Sequence, residues 1–145
     1  MTISCLLEFT KKVSRAYSAR SQPVAQQFGI TNTAFDILMF LANNPEYYTA
    51  RDISTYRNMK PNVVSIHVDR LVKEGYLRRE SIPEDRRKIR LICTSKAQPV
   101  IAQGQTMQRA FFQHLTAGLS TWDLETFNHC FRVMGANADT PEEKI

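Results

Sequence analysis

Apolar residues in the first stretch fall at Ile3, Leu6, Leu7, Val13, Ala16 and Tyr17, the spacing of a helix with one sticky face, from Ile3 to about Arg20. Pro23 and Gly29 mark the connection after it. Thr31 suits the N-cap of a second helix, Asn32 to about Asn43, closed by Asn44-Pro45. Ala34, Ile37, Leu38 and Leu41 form its stripe, and Phe35, Met39 and Phe40 widen it, which makes this the central helix of a core. Thr49-Ala50-Arg51-Asp52 fits a capping box with Asp in place of Glu, opening a short helix to about Tyr56. A brief turn leads to Pro61, well placed at a first helical position, and that helix stops at Gly75 after Glu74. Tyr76–Ile82 and Lys88–Cys93 read as two short strands, joined by the polar tip Pro83-Glu84-Asp85-Arg86-Arg87. Thr94 is expected to cap a long helix to His114–Leu115, and Ser120 a last one through about Met134. The fold class is therefore mainly α with a small β hairpin.

Charge changes this picture from a fold into a candidate surface. The chain of 145 residues carries a net charge of +5, but residues 49–96 hold 12 basic and 6 acidic residues, and the rest of the chain is slightly acidic. The whole excess lies on the short helix, the helix after it and the hairpin, as expected of a face that meets a polyanion. On the wheel of helix 61–74, Val64, Val68 and Leu71 gather on one side and Asn62, Ser65, Ile66, Asp69 and Lys73 on the other. Asn can bond adenine, Ser can donate or accept, and Ile can meet a thymine methyl. Arg57 and Lys60 in the preceding turn are placed for phosphate. Arg86, Arg87 and Lys88, with Arg90, put four cations within five residues at the hairpin. Asp85 among them is expected to brace a neighbouring Arg as a bidentate pair.

Short helix, turn, second helix and basic hairpin form the pattern of a winged helix-turn-helix, whose second helix enters the major groove. The segments Val68-Asp69-Arg70-Leu71-Val72-Lys73-Glu74-Gly75-Tyr76-Leu77-Arg78-Arg79 and Glu84-Asp85-Arg86-Arg87-Lys88-Ile89-Arg90-Leu91-Ile92-Cys93-Thr94 resemble the recognition helix and wing of the MarR family of bacterial transcriptional regulators. The Asp-x-Arg signature of that wing is here Asp85 and Arg87. Lys60-Pro61-Asn62 departs from the Ser/Thr-rich helix start common in the family, as do Cys93 from its usual Leu and Ala97 from its usual Gly.

The resemblance implies a repressor-like regulator that binds palindromic double-stranded DNA as a homodimer and is released by a small, often aromatic, ligand. Residues 31–94 would be the DNA-binding lobe, 1–30 and 95–137 the dimerisation helices, and 138–145 a frayed tail. Phe111, Phe112, Leu115, Leu119, Trp122, Leu124, Phe127, Phe131, Val133 and Met134 independently exceed what one small lobe can bury. Tyr17, Phe28, Phe35 and Tyr56 are the candidates for a ligand crevice.

Other chemistry finds little support. His67, His114 and His129 have no metal-ligand spacing, and no Ser-His-Asp grouping, phosphate loop or carboxylate pair appears, so neither catalysis nor a cofactor nor a metal is expected. Three cysteines without a Cys-x-x-Cys make no disulfide framework. With no secretory signal, and no apolar run near the roughly 20 residues of a membrane span, the expectation is a cytoplasmic protein that does not enter membranes. Two alternatives remain: a winged-helix protein-interaction module, and a thiol-based redox regulator using Cys5 near Tyr17.

Overall fold

The computed structural model describes residues 1–139. Its elements are α1 (Ile3–Gln27), α2 (Asn32–Asn43), α3 (Ala50–Tyr56), α4 (Pro61–Lys73), β1 (Leu77–Ile82), β2 (Asp85–Cys93), a 3-10 turn (Ser95–Ala97), α5 (Gln98–Leu115) and α6 (Thr121–Asp139). The chain forms two compact units, Met1–Arg109 and Ala110–Ile145, the second described through Asp139.

In the first unit α2 is the core, with Phe35, Ile37 and Leu38 fully enclosed. Ile53 of α3, Val64, Val68 and Leu71 of α4, Leu77 and Leu91 of the hairpin and Val100 of α5 pack into the same cluster. Each such side chain contributes roughly 1.5–3 kcal/mol of burial. At Gly104 α5 comes so close to α2 that an added Cβ would lie 2.4 Å from Met39 Sδ.

The local signals act where the pattern places them. Thr31 Oγ1 accepts the Ala34 N–H, and Thr49 and Asp52 close a reciprocal capping box. After α4, Gly75 takes φ +84 and the Tyr76 N–H reaches back to the Leu71 carbonyl, a turn that excludes a Cβ-bearing residue at low cost. In the second unit Ser120 caps α6 by accepting the Asp123 N–H, while Asp123 accepts from the Ser120 N–H and hydroxyl.

Several expectations need correction. Helix α1 does not end near Arg20 but continues through Pro23 to Gln27. Burial of Ser21 and Ala25 outweighs the one helical hydrogen bond that proline forfeits. Thr94 does not cap a helix with its side chain; its hydroxyl donates to the Gly75 carbonyl, and a 3-10 turn precedes α5. Helix α6 runs past Met134, so Ala138 and Asp139 are helical rather than frayed, and the rest of the expected tail lies outside the described residues. Strand β2 starts at Asp85 instead of Lys88, which moves Arg86 and Arg87 from the loop into the strand.

Candidate nucleic-acid interface

The turn between α3 and α4 is built tightly. Arg57 caps α3, Asn58 adopts φ +50, and Ser54 clamps Met59 from both sides: its hydroxyl donates to the Met59 carbonyl at 2.7 Å and its own carbonyl accepts the Met59 N–H. Asn tolerates this left-handed geometry better than most residues. Pro61 then starts α4, and Lys60 supplies no side-chain cap.

Helix α4 divides as its pattern requires. Val64, Val68 and Leu71 are buried, whereas Asn62, Ser65, Ile66, Asp69 and Lys73 are exposed, Ile66 at 64%. An isoleucine this bare in the middle of a polar face has no packing role within the chain.

The two strands of the hairpin pair from Leu77↔Cys93 to Ser81↔Ile89, and then Ile82 pairs with Asp85. Arg86, Arg87 and Lys88, within β2, are the three residues left without a cross-strand partner by that break in register, and all are exposed. Asp85 fixes the break by accepting the Arg87 backbone N–H at 3.0 Å. The expected guanidinium partner is thus replaced by the backbone, because the register break turns the Arg87 amide toward the carboxylate. The base of the hairpin is tied to the segment before α3, where the Tyr48 carbonyl accepts the Leu91 N–H at 2.8 Å.

Ion pairs sort the cations into two groups. Arg70 pairs with Glu74, Arg78 with Glu80, Arg79 with Asp69 and Arg57 with Asp36. The Arg79–Asp69 pair joins β1 to α4 through one oxygen of the Asp69 carboxylate, Oδ1. Lys60, Lys73, Arg86, Arg87 and Lys88 form no ion pair with any described residue. Arg70 of α4 and Arg78 and Arg79 of β1 are thus paired, and open positive charge remains on the α4 face and at the wing's register break.

Sequence reasoning passed over Asp36, Arg79 and a cavity of about 400 Å³ in the first unit, lined by Leu41, Tyr47, Tyr48, Arg90, Cys93 and Ile101 among others. Arg90, named only as a wing cation, lies 4.5 Å above the Tyr48 ring at this cavity. Asp36 is visible in the sequence as a carboxylate inside the apolar run of α2. The other two depend on contacts between distant segments.

The four aromatics expected to line a crevice have different surroundings. Phe35 is sealed in the core, and Tyr56 stacks on Tyr47, ring centroids 4.1 Å apart, beside Phe40. Phe28 is half-buried with its carbonyl toward the Tyr76 hydroxyl, and the Tyr17 hydroxyl accepts from Gln108 at 2.7 Å. Burial raises the pKa of Tyr17. None of the four lines the cavity above.

The cysteines stand apart in character. Cys5 and Cys130 are exposed, and hydrogen bonding with Thr2 holds the Cys5 thiol below its usual pKa. Burial pushes the Cys93 thiol up to about 11. Among the described residues no cluster of His, Cys, Asp and Glu could hold a metal ion, and no helix is long and apolar enough to cross a membrane.

The sequence model of the MarR family matches residues 28–88, the stretch from the end of α1 to the wing's register break. Nothing among curated proteins matches the chain significantly. Solved structures do. A MarR transcriptional regulator from Methanosarcina mazei Go1 superposes with a TM-score of 0.77 at 18% identity, over 93% of this chain and 96% of that one. A protein of Listeria monocytogenes assigned to the MarR family, crystallised with a 26mer DNA, gives 0.79 at 13% identity over 90% and 87%. Staphylococcus aureus MepR in complex with DNA gives 0.75 at 19% identity over 95% and 97%. At these identities the likeness is one of fold.

Proposed function

We propose that this chain, whose residues 28–88 match the sequence model of the MarR family, is a transcriptional regulator of that family that binds double-stranded DNA as a homodimer. The observation that carries the reading is a cluster of open charge: Lys60, Lys73, Arg86, Arg87 and Lys88, at the start and on the polar face of α4 and at the wing's register break, form no ion pair with any described residue. Two MarR-fold structures solved with DNA support it by analogy of fold.

In this reading α4 lies in the major groove. Asn62 and Ser65, in its first turns, reach base edges, and Ile66 meets a thymine methyl. Arg57, Lys60 and Lys73 hold phosphates, and Arg86, Arg87 and Lys88 enter the flanking minor groove or clamp its backbone. Asp69 and Asp85 shape the reading surface without touching DNA, the first through Arg79 and the second through the Arg87 amide.

Residues 31–94 form the reading lobe, and 1–30 and 95–137 the dimerisation helices. Ile3 and Leu7 of α1 are 68% and 54% exposed, and Trp122, Phe127 and Phe131 of α6 are 70%, 54% and 66% exposed, bare apolar surface of the kind a second copy covers. A two-fold dimer presents two identical lobes, which suits a palindromic operator and repression by occupancy. Release by a small ligand would act through the cavity beside Tyr48 and Arg90, since occupancy there bears on the base of the wing.

Selection of duplex fragments by the purified protein tests the reading. Recovery of a palindromic consensus, bound more weakly as salt rises, is the expected result. Light scattering should give the mass of two chains. Failure to enrich any duplex, or affinity indifferent to salt, refutes DNA binding; a monomer at micromolar concentration refutes the dimer.

A further inference from the structure

The turn of the helix-turn-helix holds a pairing that the DNA-binding reading does not require. Asp36 lies on α2 between Phe35 and Ile37, both fully buried, and its own side chain is only 27% exposed. Burial raises its pKa, and the one cation opposing that rise is Arg57, whose Nη2 stands 3.5 Å from Asp36 Oδ2. The other titratable group felt at this place is the Tyr17 phenol of α1, whose own pKa responds to both Asp36 and Arg57. Arg57 caps α3, three residues before Lys60, and its side chain is 42% exposed. It can therefore turn to either side. On one side is a half-buried carboxylate that needs it; on the other is the path of a DNA backbone past the start of α4.

We infer that Asp36 is an internal stand-in for phosphate, an autoinhibitory contact that holds Arg57 until DNA exchanges the carboxylate for a backbone phosphate. The inference rests on the DNA-binding reading and adds a specific cost to it. When Arg57 leaves, Asp36 keeps its partial burial and loses the one counter-charge it has among the described residues, so it takes up a proton from solvent. Binding is then linked to proton uptake at this carboxyl, and affinity rises as pH falls through the range in which Asp36 titrates. The contact trims affinity for DNA of any sequence, because phosphate carries no sequence information.

A thermodynamic cycle tests this on the full-length protein, with a fluorescent duplex of about 25 base pairs, long enough for two half-sites one helical turn apart. Asp36→Asn should tighten binding about two- to five-fold per protomer, the factor matching a half-exposed ion pair, with the salt slope unchanged. Arg57→Ala should weaken binding and lower the salt slope by about 0.9 per protomer. Adding Asp36→Asn to Arg57→Ala should give no further gain, since the carboxylate then has nothing to withhold. Relative to the parent, Asp36→Asn should also bind with less pH dependence. Circular dichroism confirms that each variant is folded, and Arg57→Gln replaces Arg57→Ala if the latter melts early.

Unchanged or weaker binding by Asp36→Asn overturns the inference. So does a gain of equal size in the Arg57→Ala background, which would reduce Asp36 to a general negative charge near DNA. Absence of duplex binding by the parent itself would overturn the functional reading, and the inference with it.

Discussion

Asp52 is the residue on which α3 depends most locally. One of its oxygens, Oδ2, accepts from both the Tyr48 and the Thr49 N–H at 3.0 Å, and its own N–H donates to Thr49 Oγ1 at 3.1 Å. Asp52→Ala removes two part-buried acceptor contacts and the negative charge in the first turn of α3. Loss of a cap costs about 1 kcal/mol. Loss of charge near a helix N-terminus costs about 0.3–1 kcal/mol, and the second amide left without its charged acceptor brings the total to roughly 1.5–2.5 kcal/mol. Asp52→Asn keeps an acceptor oxygen and loses only the charge, so its cost should stay near 0.5 kcal/mol.

Urea unfolding followed by circular dichroism, at one fixed protein concentration, measures the series. The fixed concentration matters because association with a second copy would add to apparent stability. Thr49→Ala should cost about 1 kcal/mol, and the double variant less than the sum of the two, because the box is reciprocal. A second readout follows from the neighbouring contact. The Tyr48 carbonyl accepts the Leu91 N–H, so exchange of the Leu91 amide should quicken in Asp52→Ala as the wing base loosens. Stability of Asp52→Ala within 0.5 kcal/mol of the parent would refute the reasoning. An Asp52→Asn variant as costly as Asp52→Ala would show that charge, and not the shared acceptor, does the capping.

Further outcomes follow from packing, thiol chemistry and the reading face. Gly104→Ala gains about 1 kcal/mol of helix propensity but drives a methyl into buried Met39 and Phe35, at about 1–3 kcal/mol; net destabilisation in thermal melts, relieved by Met39→Val, is expected. Iodoacetamide with mass spectrometry should label Cys5 and Cys130 well before Cys93, and early labelling of Cys93 would contradict its burial. Because the folded Cys93 thiol ionises at about 11 against an ordinary 9.0, its contribution to stability is complete below pH 9 and lost as pH rises toward 11; Cys93→Ala should lose less stability across that window. Site selection repeated with Asn62→Ala and Ser65→Ala should relax the consensus at particular positions, whereas Lys60→Ala should weaken all sequences alike; an unchanged consensus would remove base reading from α4.

The sequence by itself determined the elements whose signals are local. Thr31, Thr49 with Asp52, Pro61, Gly75 and Ser120 mark helix ends through contacts within a few residues, so α2, α3 and α4 begin and end where those residues dictate. The 3.6-residue period of Val64, Val68 and Leu71 likewise fixed which face of α4 is bare, because a helix turns its apolar stripe inward in any fold that buries it. Only the tertiary structure decided the rest. Pro23 reads as a break until Ser21 and Ala25 are seen buried, since packing stabilises the last turns of α1 more than one lost hydrogen bond costs. Nothing near Arg86 announces a register break, which arises from how two strands pair and from the reach of Asp85 to a backbone amide. The pairs Arg79–Asp69 and Arg57–Asp36 join positions 10 and 21 residues apart, and only the fold brings those partners together. Composition counts charges, but a charge's partner is set by distance in space, which the order of residues along the chain does not state.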